Sequence, residues 1–508
     1  MAKDLSRRLF LGTALGGALG GLAVGAQAGA PSVSLRPQMR PEGSDIMRPV
    51  ARRLPQGEDP QALVDAANLD GKVAYAVVDV KTGALLETRN SSATFPPASV
   101  TKAITAIYAI RTLGAGYRFS TRLMATGALE NGVIKGDLVL VGGGDPTLDT
   151  NALAAMAADL KGAGVTRVEG AFRVYDGALP RARVIDPAQP DHVGYNPAVS
   201  GLNLNYNRVH FQWVRAGADY QVTMDARSDK YRPAVRVARM SVVNRQTPIY
   251  TYSDAGDHDD WTVARAALGQ AGTRWLPVRR PADYAGEVFI GFARAQGITL
   301  EGAQVQETAP EGITLVTHHS DALSDVLTGM LKYSNNLTAE LVGLTATVAR
   351  KGKAASIRAS AREMTTWARR DLGLDDAVLV DHSGLGAESR MGAETLARAL
   401  AEVQRDGVLA PMLKPVQMRH DNGQVNSAHP VKVLAKTGTL NFVSSLAGYA
   451  VAPNGTRLAF AIFTMSDSRR NGLPEASVER PPGAAAWNKR SKRLQQKLIE
   501  RWAIVYAG

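Results

Sequence analysis

Pro96-Pro97-Ala98-Ser99-Val100-Thr101-Lys102-Ala103-Ile104-Thr105-Ala106-Ile107-Tyr108-Ala109-Ile110-Arg111-Thr112-Leu113 is the stretch from which the rest of the chain can be read. The proline pair presets the backbone for a helix start. Behind the first turn, Ala103, Ile104, Ile107, Ile110 and Leu113 leave almost no polar face. The pattern predicts a buried helix over 99–113. Ser99 and Lys102 stand three apart, which puts both side chains on one helix face. A helix start adds free N–H groups and positive potential. A serine hydroxyl is a poor nucleophile until a neighbour takes its proton. A lysine can do so only where burial or another cation depresses its pKa. The plain alternative makes Ser99 a helix cap and Lys102 a solvated charge, but an apolar helix offers little solvated face. S-x-x-K by itself is weak evidence, since roughly one chance match is expected in a chain of this size.

Two further clusters follow in order. Ser334-Asn335-Asn336 lies where one apolar-periodic helix ends and another begins. A hydroxyl and an amide two apart in a tight connection can converge on one pocket, although a polar helix junction would look the same. Lys436-Thr437-Gly438-Thr439 closes a strand that opens at Val431. A strand edge offers N–H groups to a substrate carbonyl, glycine permits close approach, and Lys with Thr suits a carboxylate. The same triplet occurs at Lys81-Thr82-Gly83, between two strand-like runs, and there it reads as a turn.

The remainder of the 508 residues frames these clusters. Lys3, Arg7 and Arg8 precede a charge-free run ending in Ala26-Gln27-Ala28, the layout of an export signal over 1–28. Ser6-Arg7-Arg8-Leu9-Phe10-Leu11 favours the twin-arginine type, cleaved or retained as an anchor. Residues 29–60 read as a flexible lead-in rich in Pro and Arg. From 120 to about 306, short strands alternate with Gly and Pro turns; helices return after 313, and a hairpin and a last helix close the chain. The absence of cysteine excludes a disulfide scaffold, a thiolate metal site and a cysteine nucleophile. The histidines lack H-x-x-H or H-E-x-x-H spacing, so no metal site is expected. A net charge of +12 suits anionic surroundings. Nucleic acid is disfavoured as a partner by the export signal and by 6% aromatics without a basic platform. The basic, amphipathic last helix allows membrane-surface contact, and packing on a sheet is the favoured reading.

Taken in order, S-x-x-K, S-x-N and K-T-G-T resemble the serine acyl-transferases that include penicillin-binding proteins and class A β-lactamases. Within them the chain is identified as a member of the D-alanyl-D-alanine carboxypeptidase/endopeptidase family, peptidase family S13. The long gap from Lys102 to Ser334 resembles that family's insertion. Gly136-Asp137-Leu138 through Gly144-Asp145-Pro146-Thr147-Leu148, Asn196-Pro197 through Asn207, and Asp381-His382-Ser383-Gly384-Leu385 resemble further family segments. His382 replaces an expected glycine in the last of these.

The resemblance implies an α+β penicillin-binding transpeptidase-like domain over 61–119 and 314–508. Residues 120–313 would be an insertion of two small β-rich subdomains. It implies Ser99 as nucleophile, Lys102 as its base, and Ser334 as a proton relay to the leaving amine. Asn336, Lys436, Thr437, Gly438 and Thr439 would bind substrate, with the N–H groups of Ser99 and Thr439 as oxyanion hole. Lys436 is also expected to help keep Lys102 neutral by like-charge repulsion. The implied substrates are peptidoglycan stem peptides, with β-lactams as covalent inhibitors, no metal or other cofactor, and a periplasmic location. Carboxypeptidase and endopeptidase activity both stay open. A β-lactamase of the same fold would carry an E-x-x-L-N glutamate, which is not found, and a non-catalytic wall-binding protein would be expected to have lost Ser99 or Lys102.

Overall fold

The computed structural model describes residues 57–473, 479 and 481–506. The export signal at 1–28 and most of the lead-in at 29–60 lie outside the described residues.

The chain's β-branched and alanine-rich runs form an antiparallel sheet. Its strands lie in the order Lys432–Leu440, Val443–Val451, Arg457–Met465, Lys72–Asp79 and Leu85–Arg89. Successive strand residues face opposite ways, and here both faces are covered. Ala74, Ala76, Val78, Ala461 and Phe463 face a helical layer that includes Thr101–Leu113, Leu323–Tyr333, Ile357–Leu372 and Ala393–Asp406. Val73, Tyr75, Val77, Phe460 and Ile462 face Leu63 of the helix Pro60–Ala66, and Leu494, Leu498, Ile499 and Trp502 of the last helix, Ala484–Val505. The last helix thus spends its apolar face on the sheet. Tyr506 Oη and Trp502 Nε1 also donate to Glu87 on the edge strand, at 2.9 and 3.1 Å. No helix among the described residues is long and apolar enough to cross a membrane.

Helix Thr101–Leu113 is buried on every side through its first ten residues, which explains its lack of a polar face. It begins later than the sequence pattern suggests. Ala98–Val100 forms a 3-10 turn, and the α-helix starts at Thr101, so Ser99 is not its N-cap.

The insertion leaves and returns side by side. Ser120–Ala125 pairs antiparallel with Ile313–His319, His319 lying opposite Ser120. The strand Ile313–His319 therefore belongs to the insertion's own five-stranded sheet, although the sequence pattern starts the catalytic body at 314. Three three-stranded sheets complete it, and helices Thr150–Gly162 and Pro281–Ala295 pack on the five-stranded one and on each other. Residues of these strands and helices share an apolar core that includes Leu123, Trp261 and Phe289.

Candidate active site

The three clusters are brought together by three different local devices. After Pro97 the chain turns sharply, with Ala98 at a φ of 47°, a region uncommon for a residue with a Cβ. Such strain persists only where surrounding structure enforces it. Two glycines do so. A Cβ on Gly384 would strike the Ala98 carbonyl and Thr101 Oγ1, and one on Gly438 would lie 2.6 Å from the Pro97 carbonyl oxygen and 3.1 Å from the Ser99 nitrogen. The Ser99 turn is thus clasped between the 381–385 loop and the strand Lys432–Leu440.

Ser334 ends helix Leu323–Tyr333 in the left-handed conformation, with φ 59° and ψ 36°. Asn335 caps the next helix by accepting the Thr338 N–H at 3.0 Å, so Asn336 becomes its first residue. The helix break turns Ser334 and Asn336 into one cleft, as the spacing predicts.

The strand Lys432–Leu440 lies at the sheet edge. Its first half is covered on the outer side, where Leu434 bridges Pro415 and Val416 N donates to the Val433 carbonyl. From Lys436 onward the outer edge faces the Ser99 turn instead.

Hydrogen bonds then join the set. Lys102 Nζ lies 3.1 Å from Ser99 Oγ, and donates to Asn336 Oδ1 at 2.7 Å and to the Ser383 carbonyl at 2.6 Å. Lys436 Nζ donates to Ser334 Oγ at 3.0 Å and to the Thr437 carbonyl at 2.7 Å. Asn336 Nδ2 donates to the carbonyl of Tyr195, a residue of the insertion, at 2.9 Å. Ser99, Ser334, Asn336 and Thr439 line a cleft of about 400 Å³, and Tyr195 and Gln189 supply its wall from the insertion. Thr437 enters the set by its carbonyl, and Gly438 by letting the strand approach Ser99.

Both lysines are removed from water. Burial lowers the pKa of Lys102, against the opposing pull of Asp381 and Glu340. Burial, with help from Lys102 and Lys414, pushes Lys436 down to about 6. Desolvation is the largest cause for both amines, and each lysine's ammonium form is further disfavoured by the other.

Sequence reasoning missed three contributors. The Ser383 carbonyl and the Tyr195 carbonyl are backbone groups, which carry no side-chain signature. Glu340 is buried and holds the N–H groups of His382 and Ser383. An acidic residue four after Asn336, on the same helix face and among apolar neighbours, was the available signal.

A model of the D-Ala-D-Ala carboxypeptidase 3 (S13) family matches residues 60–478. The D-alanyl-D-alanine carboxypeptidase of Actinomadura sp. (strain R39) is 29% identical over 444 residues, 80% of each chain. D-alanyl-D-alanine carboxypeptidase DacB of Haemophilus influenzae is 22% identical over 436 residues, 81% of this chain and 88% of that one. The crystal structure of penicillin binding protein 4 (dacB) from Haemophilus influenzae superposes with a TM-score of 0.71 at 18% identity, over 87% of this chain and 99% of that one. The α+β fold is therefore that of the penicillin-binding DD-peptidases.

Proposed function

The chain belongs to the D-Ala-D-Ala carboxypeptidase 3 (S13) family, and from that premise we propose that it hydrolyses D-alanyl peptide bonds of peptidoglycan stem peptides through an acyl-enzyme on Ser99. It is a serine-type D-alanyl-D-alanine carboxypeptidase/endopeptidase. The observation that carries the site assignment is the hydrogen-bond pattern of Lys102. Asn336 Oδ1 and the Ser383 carbonyl can only accept, and they lie at the two shorter distances. A neutral amine spends both N–H bonds on them and turns its lone pair to the Ser99 hydroxyl. Lys102 is then oriented as a base before substrate arrives.

In this scheme Ser99 Oγ attacks the carbonyl carbon of the scissile bond as its proton passes to Lys102. The N–H groups of Ser99 and Thr439 receive the developing oxyanion, and such a donor contributes about 3–4 kcal/mol to the transition state. Ser334, joined to Lys436, delivers a proton to the leaving amine. Asn336 keeps one N–H for the substrate amide. A substrate carboxylate placed against Lys436 and Thr439 supplies the opposite charge that burial withholds, and so restores the ammonium form. Water then releases the acyl group. A β-lactam would acylate Ser99 by the same steps and leave slowly. The export signal read at 1–28 would deliver the enzyme to the periplasm, where its substrate lies. The insertion, spanning about 120–319, would act as a second wall for the stem peptide.

Labelling with a fluorescent penicillin tests the assignment. The parent protein should acquire one covalent label, and Ser99→Ala none. A folded parent that fails to label would sink the acyl-enzyme reading. Digestion of cross-linked and uncross-linked wall fragments then apportions endopeptidase and carboxypeptidase activity.

A further inference from the structure

Helix Asn336–Lys351 carries residues 336, 340 and 343 on one face, the first toward Lys102 and the other two toward the 381–385 loop. Asn336 reaches Lys102 directly. Glu340, wholly buried, accepts the Ser383 N–H at 2.9 Å and the His382 N–H at 3.1 Å. Gly343 lies against the His382 ring so closely that any Cβ there would strike it. The loop is held on its other sides as well. Asp381 accepts the Gly384 and Gly386 N–H groups at 2.6 Å each, Thr105 Oγ1 donates to the His382 carbonyl at 2.6 Å, and Ser360 Oγ meets His382 Nε2 at 2.8 Å. The end product of this bracing is one carbonyl, that of Ser383, aimed at Lys102 Nζ.

We propose that Glu340 is a positioning residue for Lys102, acting through the 382–383 backbone: by holding the His382 and Ser383 N–H groups it fixes the segment whose next carbonyl, that of Ser383, steers the base toward Ser99. The inference deepens the acyl-enzyme reading and rests on it. It also gives His382 a place. The imidazole fills the space that Gly343 leaves, and burial holds it neutral with its pKa down at about 3, so it braces the loop without adding charge. The charged or titratable groups around Lys102 are Glu340 on the helix, Asp381 on the loop and Lys436 on the strand.

The test is the pH profile of acylation by a chromogenic β-lactam in Glu340→Gln and Glu340→Ala, beside thermal melts. Glutamine keeps one acceptor oxygen, puts an amide donor in place of the other and cannot ionise, whereas alanine loses both acceptors. The plateau rate should fall in the order parent, Gln, Ala, with Ala roughly 100-fold down, the scale of a misplaced catalytic group. The acid limb should also move to lower pH: burial and Asp381 raise the Glu340 pKa to about 8, so it ionises in the range where Lys102 titrates, and its ionised form favours the Lys102 ammonium, a pull that either variant removes. If Glu340→Ala fails to fold, Glu340→Gln carries the comparison. Folded variants with the parent's rate and profile would overturn the proposal. A fall in rate that tracks melting temperature, with the limb unmoved, would overturn it too, since that is what structural damage alone produces. A folded parent that is not acylated overturns the acyl-enzyme reading itself, and is thereby told apart from failure of the Glu340 role.

Discussion

The same three letters, K-T-G, occur twice in this molecule and do unrelated things. Lys81-Thr82-Gly83 is an exposed turn between the first two strands of the sheet. Asp79 organises it, its carboxylate accepting the Thr82 N–H at 2.7 Å and the Thr82 hydroxyl at 3.0 Å. Gly83 is needed for its backbone, since φ is 74° and the space around its Cβ position is almost open. Lys436-Thr437-Gly438 lies on a buried edge strand. Gly438 is needed for space, because the strand runs against the turn that carries Ser99. Lys436 is buried with another lysine for a neighbour, and its ammonium has lost its water. Identical side chains thus become a turn or a piece of chemistry according to what the third dimension places beside them.

Replacing the lysines should break the symmetry most. Lys436→Ala removes the donor joined to Ser334 and the cation offered to a substrate carboxylate. The second-order rate of acylation by a penicillin should fall by about 100-fold or more, the scale of losing one preorganised donor. Lys81→Ala should leave that rate within a factor of about two, as an exposed substitution outside any site. Stopped-flow acylation of both variants checks the pair. Equal losses would mean that the edge strand has no special role.

The glycines give a smaller and more selective contrast. Gly438→Ala drives a methyl group at the Pro97 carbonyl and the Ser99 nitrogen, so the strand or the nucleophile turn must shift. Displacement by about 1 Å at such a site can cost roughly 100-fold in rate, and this loss should appear without a large drop in melting temperature. Gly83→Ala meets only the end of Arg405, at an ordinary contact distance of 3.6 Å, but forces alanine into the left-handed region, a cost of about 1 kcal/mol. That variant should melt a few degrees lower and be acylated at the parent's rate. The two readouts should therefore dissociate in opposite directions.

This contrast also marks what the sequence could reveal. Thr101–Leu113, the closing hairpin and the last helix were legible because burial leaves its mark on every residue of an element. Ser99, Lys102, Ser334, Asn336 and Lys436 were legible as three ordered clusters, and hydrogen bonds do join them. The partners that finish the site were not. The Ser383 and Tyr195 carbonyls are backbone atoms, whose aim is set by distant contacts. The return of the insertion was misread by one strand, since Ile313–His319 has the pattern of either neighbour and only its pairing with Ser120–Ala125 assigns it. The extent of the Lys102 shift is hidden for a similar reason. Spacing can bring a second lysine to mind, but desolvation depends on everything packed around the amine.

The remaining expected effect is on stability. Lys436 in the folded protein sits at about 6, below the ordinary lysine value of 10.5. Between those values the unfolded chain binds a proton that the folded chain has released. Stability linked to this group therefore rises as pH rises through that window and is least at and below its lower end. Lys436→Met fills similar space without a charge to desolvate. The variant should be more stable than the parent near pH 6, and the gap should narrow steadily toward pH 10. Lys81→Met, at an exposed turn, should show no gap that changes with pH. Urea unfolding of the three proteins at several pH values between 6 and 10 measures this. A pH-independent difference for Lys436→Met would show that the lysine keeps its proton when buried, leaving the two triplets distinguished by position alone. A narrowing gap would show that the buried copy holds its lysine at the expense of stability, which the turn copy has no need to do.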